Sequence, residues 1–169
     1  MNKGILLVLS GYLMWGCFPL YWALLNHVNP SEVLIHRMLW AVPVLFFLVH
    51  FKASWKSNFK ASISSKKELV FLFITAILIT INWGGYIYAV NLGLVVEASM
   101  GYFLSPVINM IGGYIFFQER ISKLKQLAVF FATVGALYYV FSGDSFPWLG
   151  FLVGFTFSAY GIARKAMAS

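Results

Sequence analysis

Long apolar runs separated by short polar turns divide this chain into six segments. The runs cover residues 4–25, 32–51, 69–90, 95–117, 126–141 and 147–162. A helix needs about 20 residues to cross the hydrocarbon core of a bilayer, and most of these runs are close to that length. Strands of a membrane barrel would instead show segments of about ten residues with strict alternation. The pattern therefore predicts an all-α integral membrane protein with about six transmembrane helices.

The turns between the runs carry residues that end or begin helices. The polar stretch 26–31 holds Asn29 and Ser31, either of which could cap the second helix. The apolar residues from 69 to 117 are too many for one span, and Asn91-Leu92-Gly93 is the natural break. Residues 52–67 are rich in lysine and serine and are expected to form a loop.

Composition supports a membrane protein and excludes a water-soluble one. The chain is 61% hydrophobic and 10% charged, with a mean hydropathy of +0.83. A soluble domain is about 25% charged. The net charge of +7 does not indicate nucleic acid, because nearly all cations lie between the apolar runs. Six crossings place almost all of them on the side of both termini, which predicts cytoplasmic termini.

Two charged residues lie inside apolar runs and are the first candidates for a transport path. Arg37 and Glu97 are expected at similar depth, near the beginning of the second and of the fourth segment. An interhelical ion pair or contact with substrate is one interpretation. The other is that Arg37 reaches the headgroups and Glu97 simply lies at a helix N-terminus, where the helix dipole favours it. His36 is a further path candidate that could titrate near neutral pH.

Several uncharged polar and aromatic residues also lie deep in the runs. Intramembrane polar groups usually face the bundle interior or a cavity, although amides also serve simply to join helices. The further path candidates are Asn82, Trp83, Tyr102, Asn109 and Trp15, and Ser99 and Ser105 share a segment with Tyr102. Trp22, Trp55 and Trp148 suit interfacial belts instead. Pro19, Pro43 and Pro106 are candidates for helix kinks.

Sequence motifs for catalysis or cofactor binding are absent from the chain. It contains no His-Glu-x-x-His, no phosphate-binding loop, no Gly-x-Ser-x-Gly and no pair of cysteines for a metal. We therefore expect neither an enzyme nor a cofactor nor a metal site. The single cysteine, Cys17, is interpreted as a core residue.

In several motifs the sequence resembles the RarD group of the EamA family, within the drug/metabolite transporter superfamily. The matching pieces are 12–16 (YLMWG), Pro19, 32–37 (EVLIHR), Trp40, 82–83 (NW), 89–91 (AVN), 97–103 (EASMGYF), Pro106, Asn109 and 119–120 (ER). The resemblance implies a permease of the bacterial inner membrane that moves a small organic solute and is associated with chloramphenicol sensitivity. Its partners would be the lipid bilayer and the solute, with no nucleic acid.

The resemblance also implies an architecture that this chain contains only in part. Family members resemble ten-helix proteins built from two five-helix repeats, the second inverted relative to the first. Residues 1–142 would form the first repeat, and residues 146–169 would begin the second. We therefore expect a truncated or partial transporter that needs a missing C-terminal half or a second chain. The alternative is a membrane remnant or partner subunit that transports nothing.

Overall fold

The computed structural model describes residues 3–51, 57, 59–60, 63, 65–143 and 145–168. Six long helices occur in these residues: α1 (Lys3–Leu24), α2 (Pro30–Phe51), α3 (Lys66–Asn91), α4 (Val95–Phe117), α5 (Lys123–Ser142) and α6 (Trp148–Ala168). The predicted all-helical membrane fold is confirmed. Most of the loop predicted at 52–67, Trp55 and Asp144 lie outside the described residues.

Five of the six helices, α1 to α5, are long and apolar enough to cross a membrane. α6 is also 21 residues long, but it runs past the predicted end at Ile162 and includes Arg164 and Lys165. These charges lower the mean hydropathy of α6, and α6 is therefore less apolar than the five helices that are suited to crossing a membrane. α1 has no buried residue, and Cys17 is exposed on it rather than in a core, because this helix packs little against the others.

Local chemistry explains where the helices begin and turn. The Asn29 side chain accepts a hydrogen bond from the Ser31 N–H at 2.9 Å, and Pro30 takes the first position of α2. Ser65 and Ser122 cap α3 and α5 in the same way. Gly93 has a φ of 78°, a conformation natural to glycine, and makes the turn between α3 and α4. The predicted break at this turn and the Asn29 cap are thus observed.

Contacts between turns show that the helices alternate in direction. The Asn91 side chain donates to the Asn26 carbonyl at 3.2 Å, which brings together the α1–α2 and α3–α4 turns. We call this the upper end of the bundle. At the lower end, exposed Lys165 of α6 pairs with Glu119, which follows α4. The hydrogen bond and charge of Lys165 hold the pKa of Glu119 below its ordinary value.

The tightest packing in the bundle is the crossing of α4 and α6. A methyl group at Gly101 of α4 would lie 2.2 Å from the Gly150 carbonyl oxygen of α6. Methyl groups at Gly150 and Gly154 would lie 2.5 Å and 2.6 Å from the carbonyl oxygens of Glu97 and Gly101. Small residues allow this approach in membranes, where packing rather than water drives helix association. The backbones of α4 and α6 are therefore in direct contact.

One buried amide joins three helices beside this crossing. Asn82 of α3 is 0% exposed, and its side-chain N–H₂ donates to the Val153 carbonyl at 2.7 Å and to the Thr156 hydroxyl at 3.2 Å. Its side-chain oxygen accepts from the Tyr102 hydroxyl of α4 at 3.0 Å. Ser158 of α6 donates to the Ser105 carbonyl of α4 at 3.4 Å. α6 is therefore held between α3 and α4 by polar contacts as well as by glycines.

Candidate functional site

A cavity of about 500 Å³ lies among α1, α2, α3, α4 and α6. It is lined by Tyr12, Trp15, Gly16, Phe18, Pro19, Trp22, Arg37, Trp83, Tyr86, Ser99, Tyr102, Ser105, Pro106, Asn109 and Phe157. Small-molecule sites are commonly of this size, mostly apolar and aromatic, with a few convergent polar groups. The cavity has that composition.

The lining residues place the cavity in the upper half of the bundle. α1 contributes its middle and its end, and α3 contributes its last turns. α2 contributes Arg37 from its first half, and α4 contributes residues between 99 and 109, which reach just past its middle. Tyr12 and Asn109 lie farthest from the upper ends of their helices. Pro19 of α1 and Pro106 of α4 lie inside their helices and both line the cavity. A proline inside a helix frees a backbone carbonyl that neighbouring groups or water must satisfy.

Arg37 lies against two indole rings in the cavity wall. Its guanidinium carbon is 3.8 Å from the ring centroid of Trp83 and 5.6 Å from that of Trp22. Arginine is attracted to an aromatic face at these distances, more strongly where water is excluded. The sequence predicts Trp22 in an interfacial belt, but the residue lines the cavity because α1 brings it over Arg37. Arg37 therefore lines the cavity in contact with both rings.

The suggested ion pair between Arg37 and Glu97 is wrong for this structure, in which both residues are described. The Glu97 carboxylate instead accepts hydrogen bonds from the backbone N–H groups of Leu149 at 2.8 Å and Gly150 at 3.3 Å. These N–H groups open α6 and have no partner within their own helix. A carboxylate satisfies both their hydrogen bonds and the positive end of the helix dipole. Glu97 therefore anchors α6 and does not line the cavity.

Tyr102 connects the cavity wall to the packing behind it. Its ring lies 6.2 Å from Trp15, 5.5 Å from Tyr86 and 5.2 Å from Phe157, measured between centroids. Its hydroxyl donates to the buried Asn82 amide. Asn82 itself does not touch the cavity, but it fixes the orientation of a ring that does. The aromatic wall is therefore held by a hydrogen bond outside it.

The cavity brings together seven of the eleven path and kink candidates, namely Arg37, Trp83, Tyr102, Asn109, Trp15, Pro19 and Pro106, and also Ser99 and Ser105. Four others do not line it: Glu97, Asn82, His36 and Pro43. His36 and Pro43 are exposed on α2. Within the described residues, no group of three or more histidine, cysteine or acidic side chains could hold a metal ion.

Sequence reasoning missed several aromatic residues of the wall. Tyr12, Phe18 and Trp22 recur with Trp15 at helical spacing, so the aromatic face of α1 was detectable in the sequence. Tyr86 lies three residues after Trp83, a spacing that also places both on one helical face. Phe157 gave no such signal, because its place depends on how α6 packs between α3 and α4.

Comparison with known proteins relates this chain to a transporter family. The model of the EamA-like transporter family matches residues 2–141. The chain is 36% identical to an uncharacterised transporter, YojE, from Bacillus subtilis, over 97% of this chain and 56% of the relative. It is 36% identical to protein RarD from Escherichia coli, over 99% of this chain and 56% of the relative. It is 29% identical to a chloramphenicol-sensitive protein RarD from Pseudomonas aeruginosa, over 98% of this chain and 56% of the relative.

The chain spans a little over half the length of these curated relatives, and α6 lies beyond the residues matched by the family model. No solved structure matches the chain.

Proposed function

Because the chain belongs to the EamA-like transporter family, a family of multi-pass membrane proteins and not of enzymes, we propose that it acts as a permease for a small organic solute. The observation that carries the proposal is the cavity of about 500 Å³, which combines an arginine, hydroxyls and an amide with aromatic rings. Polar groups at membrane depth mark substrate paths when they face a cavity. The solute would pass along the wall formed by α1, α3 and α4.

We further propose that additional helices complete the opposite wall. Residues 1–142 would form one five-helix unit, and residues 146–169 would be the first helix of a second unit. α1 supports this proposal, because it lines the cavity and yet has no buried residue. The added helices would belong either to a longer form of the chain or to a second chain. The alternative to a permease is a membrane subunit that transports nothing by itself.

Filling the cavity is expected to stop flux. Gly16 lines the cavity, and no neighbouring atom lies within 4 Å of the position that a Cβ would take there, so Gly16→Phe can be accommodated and reduces the free volume. The readout is accumulation of labelled chloramphenicol, chosen because one relative is named for sensitivity to it, in cells expressing the chain. We expect the accumulation of chloramphenicol to differ between cells with and without the protein. In cells expressing Gly16→Phe, this difference should be at least about tenfold smaller.

Gly11→Phe is the matched control for this experiment. Gly11 lies on the same helix, also has nothing within 4 Å of its Cβ position, and does not line the cavity. Flux should therefore persist in Gly11→Phe. Equal flux in both variants would contradict the assignment of the cavity as the path. No protein-dependent flux of any tested solute, from a well-expressed chain, would favour the non-transporting subunit.

We also propose that the lower end faces the cytoplasm and that the membrane is the bacterial inner membrane. The lower end carries Lys3, Arg120, Lys123, Lys125, Arg164 and Lys165, and cations near helix ends favour the cytoplasmic side. In a Cys17→Ser background, His27→Cys at the upper end should react with an impermeant maleimide in intact cells. Arg120→Cys at the lower end should react only after the cells are permeabilised. Reversed labelling would contradict the orientation.

A further inference from the structure

Arg37 is the only charged residue among the described residues that line the cavity. Its side chain is half-buried, and within the described part of the chain its N–H groups have no hydrogen-bond acceptor. Guanidinium carries five N–H donors and stays protonated. A charge held in a membrane cavity without a partner is costly, so Arg37 favours a solute that brings an acceptor which the described residues do not provide.

Two indoles are the neighbours of the Arg37 guanidinium. Its central carbon lies over the Trp83 ring, 3.8 Å from the ring centroid, and over the Trp22 ring, 5.6 Å from that centroid. Aromatic faces attract the charge but accept none of the in-plane N–H bonds. The planar edge of guanidinium matches a carboxylate, which accepts two parallel hydrogen bonds from it. The rings therefore hold the charge of Arg37 in the cavity wall without satisfying its N–H groups, which remain suited to binding an anion.

The acidic residues nearest to Arg37 in the fold do not neutralise it. Glu97 is occupied by the N–H groups of Leu149 and Gly150 at the start of α6. Glu32 lies in the first turn of α2, is exposed, and does not line the cavity. The part of the wall formed by the described residues therefore has a net positive charge and contains no carboxylate that could bind an ammonium group. This composition disfavours cationic solutes and offers nothing for the amine of a zwitterion.

The rest of the wall is suited to a planar apolar group. Trp15, Tyr102 and Phe157 form an aromatic surface of three mutually inclined rings, with centroids 5.2 to 6.3 Å apart. Such rings pack against flat ligands in offset or edge-to-face geometry. Ser99, Ser105 and Asn109 add hydrogen-bonding groups along α4. The cavity thus combines one cationic contact with an extended aromatic surface.

We propose that the cavity selects organic monoanions that join a carboxylate to an aromatic or other planar apolar group. The carboxylate binds the edge of Arg37, and the planar group packs on the surface formed by Trp15, Tyr102 and Phe157. This inference rests on the proposed function, because it identifies the class of solute that the permease would carry. It adds charge selectivity, which the transport proposal alone does not require.

The test uses three probes of one shape that differ in charge: 3-phenylpropanoate, 3-phenylpropanamide and 3-phenylpropylamine. Their binding to the full chain in lipid nanodiscs is measured by isothermal titration calorimetry. We expect the acid to bind at least about tenfold more tightly than the amide, and the amine to bind most weakly. Arg37→Gln should remove the preference for the acid, whereas Arg37→Lys should keep the preference at lower affinity. Arg120→Gln, at the lower end, is the matched control and should bind as the unaltered chain does.

The outcomes separate this proposal from the proposed function. Equal binding of acid and amide, tighter binding of the amine, or no binding of the acid at millimolar concentration would each overturn the inference. So would a retained acid preference in a folded Arg37→Gln variant. Selective binding of the acid without any flux would contradict the permease proposal and leave the inference standing. Flux that is equal for acid and amide would contradict the inference of charge selectivity and leave the permease proposal standing.

Discussion

Gly101→Ala is expected to destabilise the bundle by about 3 kcal/mol or more, at the upper end of the cost of overpacking a core. The added methyl would lie 2.2 Å from the Gly150 carbonyl oxygen. A backbone atom cannot rotate away as a side chain can, so α4 and α6 must separate. Separation would also weaken the Glu97 contacts at the start of α6 and the Ser158 contact with Ser105. One methyl group thus disturbs several contacts of the crossing.

The measurement is the free energy of unfolding in mixed micelles, with Gly11→Ala as the matched control. Gly11 is also inside a helix, but no atom lies within 4 Å of its Cβ position. Alanine favours a helix over glycine by about 1 kcal/mol in water, so Gly11→Ala should be neutral or stabilising. The same substitution is therefore expected to have opposite effects at the two positions. Unchanged stability in Gly101→Ala would show that α4 and α6 do not cross this closely.

Asn82→Ala is expected to cost about 2 kcal/mol of stability. One interhelical hydrogen bond in a membrane protein contributes about 0.6 to 1.7 kcal/mol, and Asn82 makes three contacts of this kind from a fully buried position. The substitution also leaves the Tyr102 hydroxyl without its acceptor. We expect the Tyr102 ring to lose its fixed orientation in the cavity wall, so binding should weaken together with stability.

Asn91→Ala is the control for this prediction. The Asn91 side chain makes a single hydrogen bond, to the Asn26 carbonyl at 3.2 Å, in an exposed turn. Its loss should cost less than about 1 kcal/mol. Unfolding in mixed micelles is again the measurement for both variants. Equal losses in the two variants would contradict a special role for the buried amide.

Helix positions were predictable from the sequence because lipid imposes a simple rule. Each segment must satisfy its own backbone hydrogen bonds, so an apolar run of suitable length becomes a helix. The bounds observed for α1 to α4 lie within about three residues of the predicted runs, and Asn29 and Gly93 mark turns as expected. The predicted end of α6 is too early, because the apolar run stops before Arg164 and Lys165. Charges near a membrane surface do not end a helix, since their side chains reach water.

Pairwise contacts were far less predictable than the helices. Arg37 and Glu97 are opposite charges at similar depth, which made a pair reasonable. Depth leaves open which way a side chain points, and Glu97 faces the start of α6 instead. Likewise, a pair of glycines does not by itself show where backbones approach, since the nearest atoms at Gly112 and Gly113 belong to the side chains of Ile162 and Glu119. The close approach occurs at Gly101, whose partners lie about 50 residues away in the chain.

The position of α6 between α3 and α4 has a consequence for the order of synthesis. α3 and α4 emerge from the ribosome well before α6, since translation proceeds at roughly 5–20 residues per second. During that interval the Asn82 amide and the Gly101 surface face the bilayer without the partners that later cover them. The hairpin of α3 and α4 is therefore in the membrane for a time without its contacts to α6. α6, which is synthesised after α3 and α4, supplies the missing contacts.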